Sequence, residues 1–567
     1  MKRVLSGITS VLLCVGIAVA SPKGTSICKQ PFKKFKNVII MIPDGCGVGH
    51  FTLARWYKAK PLACDALNVA IVRTYGANTY ITDSAPAATA FATGYKSWDK
   101  YISVLPAAGT MPGVEIPENK ANGPVATVLE AVKLSGRATG LVATSTITHA
   151  TPGAYAGHWY ARGDEALLQK QMVYQNVDVV LGGGRKNILT PANGGTRKDN
   201  ENLLDTLIMK GYSIVNDRYQ LEAVNPDCQK LWGQFSMNAM GRDWDRSLDA
   251  WKDEPSLADM TRKAIEVLKY STKGQQRGFF LMVEGSQVDW ASHANEPAGV
   301  LSEYLAFDAA VEAALEFAKM DHNTLVLVLS DHDNGGLSLG SRKTDANYSS
   351  RSLDSLISPV LKSAKITGVG IESLLGANRS DPGSIRNILS TWWGINDLTD
   401  DEVGTIAVSG TGSMEYALGP ILSSRTDMSW TTTGHTGNDV PLYYYGTDVP
   451  FKTIENTDVA SICEKAMGVD LDVAHDLLFR KADVLFNGAT LKIDTIGVRN
   501  GAGYLTVELD NKTAKLPFNK NVIIVNGKSY TMNGITVYSY NNHSVYVPFQ
   551  AKCILSGIPA RNCLCKK

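Results

Sequence analysis

Four apolar runs in this chain each end on residues of the kinds that bind metal ions. Val38-Ile39-Ile40-Met41-Ile42 leads into Asp44, and Leu141-Val142-Ala143 leads into residues 144–151, which contain His149. Phe279-Phe280-Leu281-Met282-Val283 stops at Glu284, and Leu325-Val326-Leu327-Val328-Leu329 stops at Ser330-Asp331-His332. Short runs rich in Val, Ile and Phe read as strands buried on both faces. Between the last two lies a stretch with helical spacing, Leu301, Tyr304, Val311, Leu315 and Ala318, which makes a βαβ unit of the three. Residues 37–485 alternate in this way. The pattern predicts an α/β fold with a mainly parallel central sheet and helices on both faces. Ligands of such sheets bind outside the carboxyl ends of the strands. Acids and histidines gathered at that rim point to a polynuclear metal site.

The pattern lapses twice. Residues 337–430 are rich in Ser, Gly and Asn, with scattered apolar clusters such as Trp392-Trp393, and read as a long surface insertion. From about residue 486, Asn487-Gly488, Asn500-Gly501, Asn526-Gly527 and Asn533-Gly534 punctuate short Val/Ile/Tyr-rich runs. Asn-Gly favours tight hairpins because both residues tolerate positive φ. A small all-β extension over 486–567 is expected, serving either to cover a sheet edge or to bind a partner.

Composition narrows the class. With 567 residues, 44% hydrophobic and 20% charged, the chain can bury a large core. A net charge of +1 gives no basic excess of the kind that nucleic-acid binding uses. Lys2-Arg3, the apolar stretch from Val11 to Ala18 and the small-x-small Ala18-Val19-Ala20 predict a signal peptide over 1–20 and export to the periplasm or medium. An N-terminal arm over 21–36 follows. No later run is apolar enough for a membrane span. Eight cysteines follow Ala20, which permits disulfides in an exported chain. Cys563-x-Cys565 reads as a disulfide partner for Cys553 rather than a metal clip.

Within Thr82-Asp83-Ser84-Ala85-Pro86, the proline is suited to a first helical turn, so Ser84 falls near a helix N-terminus, where N–H groups favour an oxyanion or phosphate. No Gly-x-Ser-x-Gly elbow is present. Asp289 and His293 are four apart, on one face of a helix and able to chelate one ion. Asp331-His332 at a strand end fits a second ion, and His435, between Gly434 and Gly437, completes the set.

Taken in order, Asp44, Asp83-Ser84-Ala85, His149-Ala150-Thr151-Pro152, Arg162, Glu284, Asp289, His293, Asp331-His332 and His435 closely resemble the alkaline phosphatase family over about residues 33–485. The spacings agree too: eleven residues from Thr151 to Arg162, five from Glu284 to Asp289, and four more to His293. The resemblance implies two zinc ions and one magnesium ion. Asp289, His293 and His435 would hold the first zinc, and Asp44, Asp331, His332 and Ser84 the second. Asp44, Thr151 and Glu284 would hold magnesium, a hard ion that prefers oxygen. Arg162 would grip two phosphoryl oxygens with its planar fork. The implied reaction is hydrolysis of small phosphate monoesters through a phosphoserine on Ser84, displaced by zinc-bound hydroxide. Phosphate scavenging, inhibition by inorganic phosphate and a homodimer are further implications. His149 and Trp290 stand where some relatives carry Asp and Lys or His, so the magnesium contact of His149 is expected to run through water.

Two rival readings use the same residues differently. A phosphodiesterase or related esterase on this scaffold would usually lack the third-ion set, yet Thr151 and Glu284 are both present. A sulfatase needs Arg where Ala88 stands. A surface-binding protein, acting through the insertion or the C-terminal module, would have no need of so complete a set.

Overall fold

A computed structural model describes residues 33–448 and 451–558. The signal-peptide expectation, most of the N-terminal arm and Cys563-x-Cys565 lie outside the described residues. Cys553 is disulfide-bonded.

Eight strands enter the central sheet before the insertion: β1 (Asn37–Pro43), β2 (Asn68–Arg73), β3 (Ala138–Thr146), β4 (Val179–Gly183), β5 (Ser213–Val215), β6 (Leu231–Gln234), β7 (Phe279–Gly285) and β8 (Thr324–Leu329). Two more, Val440–Tyr445 and Thr453–Glu455, complete ten. The spatial order is 453–455, β2, 440–445, β8, β1, β7, β3, β4, β6, β5. Only Val440–Tyr445 runs against the rest, pairing antiparallel with both β2 and β8. β1 lies between β7 and β8 in parallel register, with every residue buried. The four apolar runs are therefore the four central strands, β8, β1, β7 and β3, covered on both faces. The 25-residue helix Pro297–Asp321 crosses from β7 to β8.

The insertion is largely helical. It contains the helices Gly368–Leu375, Pro382–Trp393, Asp400–Val408 and Glu415–Ser423. Ile371, Leu389, Trp393, Ile406 and Leu418 are buried in the same apolar cluster as one face of the central sheet. Two short antiparallel pairings close its base, Leu337–Leu339 on Met428–Trp430 and Asp333–Asn334 on His435–Thr436.

The C-terminal module is all-β with one short helix, as expected. A five-stranded antiparallel sheet covers residues 490–531, and a three-stranded one joins Arg480–Lys481, Ser544–Val547 and Val537–Ser539. Of the four Asn-Gly pairs only Asn526-Gly527 makes a two-residue hairpin with both φ positive; the other such turn is Asp510-Asn511. Neither sheet pairs with an edge strand of the central sheet. Among the described residues no helix is long and apolar enough to cross a membrane.

Candidate metal centre

The parallel strands deliver their terminal residues to one rim. Asp44 follows β1, Glu284 ends β7, Asp331-His332 follows β8, and His149 follows β3. His435 reaches the same rim because Val440–Tyr445 runs the other way, so its start meets the others' ends. The pairing of His435 with Asn334 fixes its place across the base of the insertion.

Ser84 is the first residue of the buried helix Ser84–Thr93, capped by Asp83, whose carboxylate accepts from the Ala85 N–H at 3.4 Å. Its hydroxyl donates to Asp44 Oδ2 at 3.4 Å and lies 3.2 Å from His332 Nε2. His332 Nε2 also sits 3.4 Å from Asp44 and 3.3 Å from Asp331. On the other side, Asp289 stands 3.4 Å from both His293 Nε2 and His435 Nε2, which are 3.2 Å apart. Each of these two rings meets a backbone carbonyl with Nδ1, His293 that of Thr433 at 2.6 Å and His435 that of Thr82 at 2.8 Å. A carbonyl can only accept, so Nδ1 carries a proton in each ring and Nε2 is the atom turned toward Asp289.

Imidazole nitrogens converging with carboxylates fit a cation between them. Three groups of side chains have ligand atoms within 4.8 Å of one another: Asp289, His332 and His435; Asp44, Asp331 and His332; Asp44, His149 and Glu284. Buried atoms that take part in no hydrogen bond concentrate here: Asp44 Oδ1, Thr151 Oγ1, Glu284 Oε1, Asp331 Oδ2 and His149 Nδ1. Burial and the nearby charges of Asp331, Asp289 and Glu284 push Asp44 well above the usual carboxylate range. Burial takes Asp331 to about 7, with Asp289 adding to it. Glu284 also reaches about 7 through burial, although the Ser286 hydroxyl bonded to it pulls the other way. Mutual repulsion of this kind is relieved by bound positive charge, so the donor set fits divalent ions. Imidazole with carboxylate suits zinc, and the oxygens of Asp44, Thr151 and Glu284 suit magnesium.

Arg162 places Nη1 2.6 Å from both Asp83 oxygens and Nη2 2.8 Å from His149 Nε2. Burial alone would raise the Asp83 carboxyl; the Arg162 charge outweighs it and holds Asp83 below its ordinary value. Trp290 packs edge-on against His149, ring centroids 5.7 Å apart. The structure therefore gathers all thirteen residues singled out in the sequence at one rim. It sets His149 in one group with Asp44 and Glu284.

Supporting residues were not legible in advance. Asn334 donates to Asp289 Oδ1 at 2.7 Å and to the Asp289 carbonyl at 2.9 Å. Ser330 accepts from Cys46 N–H at 2.8 Å and donates to the Pro43 carbonyl, fixing the turn of Asp44. Gly45, at φ +67°, leaves no room for a Cβ beside Asp289. His50 bonds Ser292 at 2.9 Å on the helix Gln287–His293. Only Asn334, two residues past His332, had any sequence signal.

Comparisons with known proteins agree on one family. Residues 35–469 match the family model described as alkaline phosphatase. Alkaline phosphatase 3 of Bacillus subtilis is 35% identical over 463 residues, covering 78% of this chain and 90% of that protein. Among solved structures, a cold-active alkaline phosphatase from a psychrophilic Shewanella superposes with TM-score 0.62 at 28% identity, over 76% of this chain and 99% of that one. An alkaline phosphatase from the Antarctic bacterium TAB5, in a variant with a histidine replaced by glutamate and magnesium bound in its M3 site, superposes with TM-score 0.54 at 25% identity, covering 77% of this chain and 99% of its own.

Proposed function

The chain belongs to the alkaline phosphatase family and is a phosphoric monoester hydrolase, and on that premise we propose that it works through a phosphoserine on Ser84. The observation that carries this reading is the Ser84 hydroxyl, set at a buried helix N-terminus within 3.4 Å of Asp44 and 3.2 Å of His332. In the first step the Ser84 oxygen bonds to phosphorus as the ester P–O bond breaks and the alcohol departs. Water then displaces the serine, releasing inorganic phosphate and restoring the hydroxyl. Arg162, braced on Asp83, presents its fork to the phosphoryl oxygens and holds them for in-line attack.

The ligand sets proposed are Asp289, His293 and His435 for one zinc, Asp44, Asp331, His332 and Ser84 for the second, and Asp44, Thr151 and Glu284 for magnesium. When bound, the ions supply Lewis acidity, which favours ionised serine, a stabilised leaving oxygen and deprotonated water. His149 brings a nitrogen donor to a site otherwise made of oxygen, which weakens the case for tight magnesium. A TAB5 variant with glutamate in place of a histidine has magnesium bound in its M3 site, in keeping with that preference.

A grip confined to the phosphoryl group gives broad specificity, suited to scavenging phosphate in the periplasm or medium. The same reading makes the enzyme a homodimer. Val48, Trp56, Val69 and Ile71 are exposed apolar residues of the helix Val48–Lys58 and of β2, next to which Phe51 packs on Tyr443, and they offer a surface to bury against a second copy. The deciding experiment combines metal analysis with monoester hydrolysis before and after chelation. About two zinc ions per chain and activity restored by added metal are expected. Ser84→Ala is expected to lose at least about 10³-fold in turnover and all covalent labelling by a phosphoryl donor. Persistent labelling of that variant would refute the nucleophile.

A further inference from the structure

The loop that carries Arg162 leans on the C-terminal module. Ala85, beside the nucleophile, Ala150, beside Thr151, and Trp159 belong to the same buried apolar cluster as Leu505, Leu516 and Phe518 of that module. Between the helices Ala150–Ala156 and Glu165–Gln175 the backbone has little regular structure of its own. A single bridge joins Ile102 to Trp159, and the Arg162 N–H donates to the Lys100 carbonyl at 2.9 Å. The module supplies what this loop lacks. The Tyr160 ring stacks on Tyr540, centroids 4.7 Å apart and planes 23° from parallel. Asp164 accepts from the Trp159 indole at 2.8 Å and faces Arg499 at 3.5 Å. Asn541 donates to the Tyr101 hydroxyl at 3.0 Å.

Tyr540 lies 378 positions from Arg162 and beyond the residues that match the family model, which end at 469. We propose that the Tyr160–Tyr540 stack is a positioning device for phosphate binding, by which the C-terminal module sets where Arg162 meets the phosphoryl oxygens. The inference rests on the role given to Arg162 above. A two-point guanidinium grip tolerates only about 0.5 Å of misplacement, so a loop that loses one side of its support loses affinity before it loses its fold. The Arg499 pair with Asp164 is exposed and contributes little by comparison.

The test uses the full-length, metal-loaded enzyme and inorganic phosphate as the probe. Tyr540 is 43% exposed, so Tyr540→Ala leaves the core intact. Its binding of phosphate, read by equilibrium dialysis and by product inhibition, is expected to weaken about three- to tenfold, the range of a stacked aromatic pair. KM should rise in parallel, with kcat within about twofold of the parent and metal content unchanged. Tyr540→Phe keeps the ring and should restore binding, and Tyr160→Ala should match Tyr540→Ala without adding to it. In an Arg162→Ala background, Tyr540→Ala should have no further effect. Parental phosphate binding in both alanine variants overturns the inference, as does an equal loss with Arg162 already gone. Should Arg162→Ala itself leave phosphate binding unchanged, the role of Arg162 falls and this inference with it. Should Arg162→Ala act while the tyrosine variants do not, the inference alone falls.

Discussion

On the side of Asp289 and His293 the insertion adds a buried ion network to its apolar packing on the catalytic body, whereas on the side of Arg162 the C-terminal module meets it mainly through apolar side chains and rings. In the first interface Arg242, fully buried, pairs with Glu296 at 3.3 Å and with Glu415 of the insertion. Glu296 also accepts from the Gly368 N–H at 2.7 Å, and Asp245 accepts from both the N–H and the hydroxyl of Thr367 at 2.7 Å. Glu296 comes three residues after His293. The segment between is pinned from the insertion: Ser423 donates to the Asn295 carbonyl at 2.8 Å, and Gly419 lies so close to the Ala294 carbonyl that a Cβ would collide with it. The second interface has one continuous core from Ala85 and Trp159 to Phe518 and Leu555. Two regions that look like additions to the fold thus form walls of one site, both on apolar packing and only one with a buried ion network. A buried ion network holds only while every partner is present and in the right charge state. An apolar core weakens in proportion to the volume removed.

The strongest way to break the contrast is to damage each wall equally and ask what is lost. Arg242→Ala strands two buried carboxylates and should cost about 3–5 kcal/mol. Phe518→Ala empties a buried ring site and should cost about as much, 3–5 kcal/mol. Urea unfolding measures both. Their functional effects should differ: Arg242→Ala should loosen the metal held by Asp289 and His293, and Phe518→Ala should weaken phosphate binding at Arg162. Loss of the same property in both variants would remove the distinction.

A sharper probe is pH. Burial, helped by the Asp243 charge, holds the Glu303 carboxyl at about 7, above the 4.5 of an open glutamate. The folded state then keeps a proton that the unfolded chain releases from about pH 4.5 upward. Stability from this group is full below that value and is lost as pH rises through about 7. Glu303→Gln preserves the acceptor for the Asp243 N–H, now at 2.7 Å, and should flatten that decline by roughly 3 kcal/mol between pH 5 and 8, read by thermal unfolding. The Tyr160–Tyr540 stack is made of two phenol rings and no carboxylate, so Tyr540→Ala should leave the pH dependence of stability between about pH 5 and 8 unchanged. Its effect, confined to phosphate affinity, is the smallest of the series.

Much of the site was legible because chemistry and position coincided. Asp44, Glu284 and Asp331-His332 each close a run of buried residues, so strand ends and ligand types gave one answer. The helices of the insertion were not legible because they are short and their apolar residues, Ile371, Leu389 and Trp393, are spaced among Ser, Gly and Asn; they are buried by packing on the body, which local composition does not show. The hairpin at Asp510-Asn511 was missed because neither residue is glycine, although both take positive φ. The supports at Asn334, His50 and Ser330 act across 45 to 287 positions and left no periodic trace.

The order and types of residues along the chain determined the parallel sheet, the rim at which acids and histidines collect, and a serine at the start of a helix, because burial periodicity and ligand preference are local properties of side chains. Only the folded arrangement decided that His149 stands among ligand atoms, that the insertion is clamped beside His293, and that Tyr540 lies against Tyr160. Those outcomes depend on which surfaces meet when distant segments pack, and packing selects shape and charge complementarity that no single stretch of chain contains.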